Sequence, residues 1–211
     1  MDLTGQFALP RGITGALVGA LMARRHGGQI GGCVADLAPR AGEHLLEIGF
    51  GPGTGLVTLA ASAAGLRLAG VDPSPLMVTT AARQVRRLRA LVAPVELRQA
   101  TAEALPWPDG TFDGVCATNS VQLWQPLDAS LAEVRRVLRP GGRLALSVLE
   151  EAVLPDGGSA GPHYDAVLLP ALAAAGFTEA RSEWRPTRRS RALHVHARRA
   201  NVEPTPTAAS G

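Results

Sequence analysis

Residues 45–55 constrain the fold of this chain more than any other stretch of its sequence. The apolar run at 44–48 predicts a buried β-strand, and the glycines after it permit a sharp turn. Residues 56–64, rich in alanine and leucine, predict a helix. In α/β proteins a glycine-rich turn between a strand and a helix is a common ligand-binding loop, because free N–H groups at the start of the helix face the turn. A binding site is therefore predicted at the carboxyl end of this first strand.

Strand-like and helix-like segments alternate along the rest of the chain. Further strands are predicted at 66–71, 95–100, 112–118 and 143–149, the last one after a turn at 140–142. Helices are predicted at 75–90, 127–138 and 164–175, and a closing hairpin near 180–184 and 192–197. Such alternation favours an α/β fold in which helices cover both faces of a parallel sheet.

Two terminal segments flank this alternating unit. Ile13, Leu17 and Leu21 recur at helical spacing, and a glycine-rich break at 27–32 precedes a short helix at 33–37. Residues 201–211 are rich in Pro, Thr, Ala and Ser, a composition typical of disorder. We therefore predict an N-terminal helical cap or lid at 1–40, one folded domain at 41–200 and a disordered tail at 201–211.

Charge and cysteine usage exclude several functions. All 21 basic residues are arginines, so neither a Schiff-base lysine nor a P-loop lysine is available. The arginines are spread along the chain and no basic stripe is interleaved with aromatic residues, so a nucleic-acid partner is not expected. Cys33 and Cys116 lack the spacing of metal ligands, so no metal is predicted, and Cys116 is expected to be a buried core residue.

A membrane location is not expected from the N-terminal segment. Its apolar stretch at residues 12–23 is shorter than the ~20 residues that span a bilayer. No basic leader precedes a long apolar core with a cleavage site, so a signal peptide is not expected either. The expected location is cytoplasmic.

The glycine loop fails the fingerprint of nicotinamide-dinucleotide enzymes. That fingerprint requires Gly or Ala at the last position of G-x-G-x-x-G/A, where this chain has Thr54 or Leu56. Instead, an acidic residue precedes alternating glycines: Glu47, Gly49, Gly51 and Gly53. Asp72 ends the second predicted strand, where a carboxylate can accept hydrogen bonds from ribose hydroxyls. Capping of the following helix is the alternative role for Asp72.

Four ordered blocks make the chain resemble the class I S-adenosylmethionine-dependent methyltransferases, in particular the type 11 group. The blocks are residues 45–55, 70–74, 102–106 with 112–113, and 131–146. The resemblance implies a Rossmann-like class I methyltransferase fold: a mostly parallel seven-stranded sheet with an antiparallel C-terminal strand and helices on both faces. It also implies that residues 41–200 are the methyltransferase domain and that S-adenosyl-L-methionine is the cofactor.

The resemblance further implies a cofactor-binding set, which we give from the methionine end of the ligand to its adenine. Its members are Glu47 near the methionine end, Gly49, Gly51 and Gly53 beneath the amino-acid and ribose portions, Asp72 on the ribose hydroxyls, Pro73 and Met77 flanking the adenine, Thr101 and Ala102 at the adenine edge, and Asn119 beside the cofactor at the end of strand 4. The family often has Asp where this chain has Thr101, whose hydroxyl carries no charge.

Methyl transfer from a sulfonium is an in-line displacement, in which the protein mainly positions the nucleophile and excludes water. A base is needed only if the acceptor must lose a proton. His163 is the candidate base, and an ordinary surface histidine is the alternative. The candidate acceptor walls are the N-terminal helix with Ile13, Leu17 and Leu21, residues 122–124 after strand 4, and the loop after strand 5 with His163 and Tyr164.

The segment after strand 4 indicates which class of acceptor to expect. Residues 119–122 read Asn-Ser-Val-Gln, whereas methyltransferases of nucleic-acid amino groups and several that act on protein nitrogens carry Asn-Pro-Pro or Asp-Pro-Pro before an aromatic residue there. We therefore expect a small-molecule acceptor, methylated at an oxygen, nitrogen or carbon atom. The alternative is a non-catalytic, methyltransferase-like binding or partner protein.

Overall fold

The computed structural model describes residues 27–86, 95–188 and 190–201. In chain order the elements are α1 (Gly27–Leu37), β1 (His44–Ile48), α2 (Thr54–Ala60), β2 (Arg67–Asp72), α3 (Pro75–Arg86), β3 (Glu96–Gln99), β4 (Phe112–Thr118), a 3-10 helix (Val121–Leu123), α4 (Leu127–Val137), β5 (Leu138–Leu149), α5 (Asp165–Ala174), β6 (Phe177–Pro186) and β7 (Arg191–Arg199). None of these helices is long and apolar enough to cross a membrane.

The seven strands form one sheet in the order β3-β2-β1-β4-β5-β7-β6. β1 to β5 pair in parallel, and β7 runs antiparallel to both β5 and β6. From β1 the chain proceeds outward to β2 and β3, then crosses back to place β4 on the other side of β1. The predicted mostly parallel sheet of seven strands, with an antiparallel C-terminal strand, is confirmed. So is the predicted closing hairpin, whose strands extend further than the sequence indicated.

Both faces of the central strands are buried. Leu45 packs in the cluster beneath α1 and α2, whereas Leu46 packs in the cluster beneath α4 and α5. Val115 and Cys116 of β4 divide between the two clusters in the same way, and Cys116 is buried as predicted. Because successive side chains of a strand point to opposite faces, a sheet covered on both sides needs continuous apolar runs. The central strands could therefore be predicted from continuous apolar runs, although apolar and polar residues do not alternate along them.

The predicted glycine-rich break at residues 27–32 is wrong, because these residues form the first half of α1. A Cβ atom on Gly32 would lie 2.7 Å from Cε1 of His194 on β7, so glycine allows the helix to lie close to the sheet. Cys33, Val34 and Leu37 are buried on the same side. Their burial offsets the roughly 0.5–1 kcal/mol by which each glycine weakens a helix relative to alanine.

The predicted turn at 140–142 is also wrong, since these residues continue β5. Leu138 already pairs with Phe112, and the register then shifts before Arg143 pairs with Gly114. Gly141, with φ of +72°, takes up this irregularity inside the strand. The predicted apolar face of Ile13, Leu17 and Leu21 lies outside the described residues, as do residues 202–211 of the predicted tail. The lid and the disordered tail stay predictions.

A buried ion pair fastens the end of α1 to the sheet. The guanidinium of Arg143 contacts the carboxylate of Glu43, and its Nε donates to the carbonyl oxygen of Leu37 at 2.8 Å. Oε2 of Glu43 also accepts from the backbone N–H of Arg40 at 2.8 Å. Both charged side chains are buried, so each depends on the other to compensate for its lost hydration.

Replacing Glu43 with alanine should lower the free energy of unfolding by about 3–5 kcal/mol, because the Arg143 charge is left buried without its partner. The matched control is Glu183→Ala, whose ion pair with Arg185 is exposed and is worth at most about 1 kcal/mol. Urea denaturation followed by circular dichroism compares the two variants. Similar losses for both would contradict the role assigned to the Glu43–Arg143 pair.

Candidate functional site

A cavity of about 370 Å³ lies where the carboxyl ends of β1, β2 and β4 meet. This is the point at which the order of the parallel strands reverses, and open α/β sheets bind ligands at such points. Nine of the ten predicted cofactor-binding residues line the cavity: Glu47, Gly49, Gly51, Asp72, Pro73, Met77, Thr101, Ala102 and Asn119. The structure therefore brings together side chains that lie up to seventy-two residues apart in the sequence.

The turn after β1 is held by backbone contacts that require glycine. Gly49 has φ of +74°, and its N–H donates to the carbonyl oxygen of Val71 at 2.8 Å. A Cβ atom on Gly49 would lie 2.4 Å from Cβ of Ser120, which follows β4. The hydroxyl of Ser120 donates to the carbonyl oxygen of Ile48 at 2.7 Å. These contacts join the ends of β1, β2 and β4 beside the cavity.

Asp72 orders the glycine loop from the neighbouring strand. One carboxylate oxygen accepts from the backbone N–H of Gly51 and the other from that of Ser74, each at 2.9 Å. Burial raises the pKa of Asp72, and the two N–H donors oppose this rise. Ser74 caps α3 through its hydroxyl, which accepts from the N–H of Met77 at 3.4 Å. Asp72 is therefore fixed before any ligand binds, and lone pairs on both oxygens remain for further donors.

Glu47 is the most deeply buried acidic group of the cavity, with 4% of the residue exposed. A Cβ atom on Gly55 would lie 1.9 Å from its Oε1, so only glycine leaves room for the carboxyl group over α2. The backbone N–H of Leu56 donates to it, whereas Oε2 has no hydrogen-bond partner within the described part of the chain. Burial, together with the nearby Asp72 carboxylate, raises the pKa of Glu47 to about 8.

The end of β4 is tied to helix α1 through amide side chains. Asn119 has φ of +52°, and its Oδ1 accepts from the backbone N–H of Leu149 at 2.9 Å. Nε2 of Gln29 donates to Oδ1 of Asn119 at 3.1 Å, and Nδ2 of Asn119 donates to Oε1 of Gln29 at 2.9 Å. Ile30, the next residue of α1, lines the cavity. Sequence reasoning missed Gln29 and Ile30, because the glycines around them concealed the helix.

Several residues predicted for the site do not line the cavity. Gly53 instead faces α3, where a Cβ atom would lie 3.1 Å from Cβ of Ala81. His163 is exposed and lies outside the cavity lining, so the geometry gives no support to its role as a base. Tyr164 is buried in the core.

The acceptor wall predicted at 122–124 is found in part. Leu123 and Trp124 line the cavity, whereas Gln122 does not. Pro155 also lines it and belongs to the loop after β5, which was predicted as a further wall. No group of three or more His, Cys, Asp or Glu side chains that could hold a metal ion occurs in the ranges that the structure describes.

A glycine turn after β1, a carboxylate ending β2 and a cavity at the reversal of strand order define a Rossmann-like nucleotide-cofactor site. Residues 46–146 match the family model described as a methyltransferase domain, of the type 11 group. The segment at residues 46–146 is therefore a class I methyltransferase domain of this group, a class of enzymes whose cofactor is S-adenosylmethionine. The family predicted from the four sequence blocks is confirmed.

Relatives agree with this assignment over part of the chain. A demethylmenaquinone methyltransferase of Thermus thermophilus is 36% identical over 123 residues, which cover 58% of this chain and 54% of the relative. The chain spans between 31% and 61% of the length of the first curated relatives it matches.

Solved structures share the fold at low identity. A putative S-adenosyl-L-methionine-dependent methyltransferase of Methanococcus maripaludis has a TM-score of 0.72 at 16% identity, covering 91% of this chain and 95% of the other. The [4+2]-cyclase SpnF has a TM-score of 0.68 at 20% identity, covering 84% and 82%. Proteins with different described activities thus share this architecture, so the fold alone does not fix the reaction.

Replacing Gly55 with alanine should lower the free energy of unfolding by about 1–3 kcal/mol, because the new methyl group displaces the packed Glu47 carboxyl. The matched control is Gly31→Ala on α1, where no atom lies within 4 Å of the new Cβ. That substitution should leave stability unchanged or raise it by up to about 1 kcal/mol. Chemical denaturation measures both, and a stabilised Gly55→Ala protein would show that the carboxyl group is free to move.

Proposed function

We propose that this protein transfers the methyl group of S-adenosylmethionine to a small-molecule acceptor, at an oxygen, nitrogen or carbon atom. The observation that carries the proposal is the unpaired Oε2 of Glu47, buried in the same cavity as the glycine loop and Asp72. An unpaired oxygen of a buried carboxyl group calls for a donor or a cation from a ligand. The ammonium group of the cofactor's methionine portion is such a partner.

The other cavity residues fit the remaining parts of this cofactor. Asp72 would accept hydrogen bonds from the ribose hydroxyls, with Gly49 and Gly51 beneath the ligand. Pro73, Met77, Thr101 and Ala102 would contact the adenine, and Asn119 would lie beside the methionine portion. A diphosphate offers acceptor oxygens and negative charge but no donor, so it would leave Oε2 of Glu47 unpaired. This supports S-adenosylmethionine over a dinucleotide.

The bound cofactor would supply a methyl group already activated by the positive charge of its sulfonium. The chain's own part is to orient the acceptor for in-line attack and to exclude water. Ile30, Leu123, Trp124 and Pro155 contribute apolar surface to the cavity, which supports water exclusion there. A protein base is required only for acceptors that must lose a proton. The proposal therefore does not depend on His163.

The cavity of about 370 Å³ falls in the range of small-ligand sites, which fits the cofactor. A small-molecule acceptor is supported by a relative. The name of the Thermus thermophilus relative, a demethylmenaquinone methyltransferase, specifies a small acceptor for that protein. The expectations of no nucleic-acid partner and of a cytoplasmic location stay predictions, as does the alternative of a methyltransferase-like protein that binds without catalysis.

Turnover separates catalysis from binding alone. The purified chain should convert methyl-labelled S-adenosylmethionine to S-adenosylhomocysteine in the presence of an accepted compound, with label appearing in that compound. A first panel would contain quinols, phenols, carboxylic acids, amines and thiols of small size. Binding of the cofactor without transfer to any class of compound would favour the non-catalytic alternative.

Replacing Asp72 with asparagine should weaken binding of S-adenosylhomocysteine by about 1–3 kcal/mol, because charge-assisted hydrogen bonds to the ribose are lost. Isothermal titration calorimetry measures the change. The matched control is Asp156→Asn, an exposed aspartate outside the cavity, which should bind like the wild type. Equal affinities for all three proteins would refute the assignment of Asp72, and tight binding of NAD by the wild type would refute the cofactor.

Binding of S-adenosylmethionine at pH 7 should release a proton from Glu47. Its pKa of about 8 in the free protein means that the carboxyl group is mainly protonated at this pH. A cofactor ammonium beside it would favour the ionised form and lower that pKa. Titrations in phosphate and in Tris, which differ in ionisation enthalpy, should therefore give different binding heats at pH 7.

The titration of Glu47 also determines how the stability of the folded protein changes with pH. Because its pKa is raised in the folded state, the folded protein holds this proton more tightly, and stability should fall as the pH rises from about 4.5 to about 8. Glu47→Gln is the control for both effects, since it keeps the shape of the side chain and removes the titration. Buffer-dependent binding heats that persist in Glu47→Gln would assign the proton to another group.

A further inference from the structure

The contact between Gln29 and Asn119 is a complete pairing of two side-chain amides across ninety residues of sequence. Each amide donates one hydrogen bond to the other, at 3.1 Å and 2.9 Å. Nε2 of Gln29 also donates to Oγ of Ser147 on β5 at 3.1 Å. Gln29 is 5% exposed, so its polar atoms depend on these protein partners rather than on water.

The pairing holds Asn119 in a backbone conformation that is unusual for a residue other than glycine. Its φ of +52° lies in the left-handed region, at the point where the chain turns from β4 into the 3-10 helix. The Oδ1 atom of Asn119 receives donors from two directions, the backbone of Leu149 and the side chain of Gln29. Gln29 therefore fixes the side-chain orientation of a residue that lines the cavity.

Helix α1 contributes to the cavity at the adjacent position as well. Ile30 lines it and is 8% exposed, so it packs between the helix and the cavity wall. Undocking α1 would thus remove Ile30 from the wall and break both hydrogen bonds between Gln29 and Asn119 at the same time. Neither Gln29 nor Ile30 falls within residues 46–146, the segment that matches the methyltransferase domain.

We infer that Gln29 is a positioning residue of the cofactor site, which acts through Asn119 and couples docking of helix α1 to occupation of the cavity. This inference rests on the proposed function, since the ligand that occupies the cavity is S-adenosylmethionine or its product. Coupling between two sites is reciprocal: if docked α1 strengthens ligand binding, the bound ligand must stabilise docked α1 to the same extent. A purely structural contact would stabilise the free protein without responding to the ligand.

The test compares wild type with Gln29→Met, which keeps the length of the side chain and removes its hydrogen bonds. S-adenosylhomocysteine is the probe, because it fills the cofactor site without turnover. In the wild type it should bind and slow amide hydrogen exchange in residues 27–37. In Gln29→Met the affinity measured by calorimetry should fall about 5- to 30-fold, a typical size for the coupling between two sites, and the ligand-induced slowing should disappear.

Ser147→Ala is the matched control, since it removes one hydrogen bond of Gln29 and leaves the amide pair intact. Its affinity should stay within about twofold of wild type, and its ligand-induced protection of α1 should persist. If Gln29→Met does not fold, Gln29→Asn makes the same comparison, because it keeps an amide that is one methylene too short to reach.

The outcomes separate this inference from the proposed function. Wild-type protein that fails to bind S-adenosylhomocysteine would overturn both. Wild-type binding, with the same affinity and the same protection of α1 in Gln29→Met, would overturn the positioning role of Gln29 alone. Weakened binding and lost protection in Gln29→Met, with Ser147→Ala unaffected, would establish it.

Discussion

The position of β1 between β2 and β4 is the constraint on which the rest of the site depends. Parallel pairing on both sides brings three carboxyl ends to one edge of the sheet, and the reversal of strand order there leaves a cavity between the outgoing loops. Gly49 lies so close to Ser120 that a side chain on it would separate these strand ends. The cavity is therefore a consequence of strand order, and its shape is maintained by backbone contacts that exist without a ligand.

The same packing places two carboxyl groups where water is scarce. Burial raises the pKa of both Glu47 and Asp72, so each carries an electrostatic cost in the free protein. Asp72 offsets this cost by accepting two backbone N–H groups, whereas one oxygen of Glu47 stays unpaired among the described residues. A site that is incompletely satisfied when free gains more from a ligand that completes it. The buried carboxyl group of Glu47 therefore destabilises the free protein locally and strengthens ligand binding.

Predictions from the sequence were correct for features that depend on local residue patterns. They were wrong where packing between distant segments determines the local conformation. The glycine turn, Asp72 and the alternation of elements were predicted because turn chemistry and burial leave direct traces in sequence. The glycines at 27–32 led to a predicted break, although contact with His194 is what makes glycine suitable at position 32. The predicted turn at 140–142 is instead an irregularity inside β5, because residues on both sides of it, Leu138 and Arg143, pair with β4.

By itself, the sequence determined the class of fold, the family, the place of the glycine loop and nine of the ten residues predicted to bind the cofactor. These follow from short-range features whose physical meaning hardly depends on context, such as conformational freedom at glycine and apolar runs in buried strands. Only the tertiary structure decided that Gly53 faces α3, that His163 is exposed and that Gln29 pairs with Asn119. Those outcomes depend on which side chains meet across the sheet, and contacts between segments ninety residues apart leave no local pattern to read.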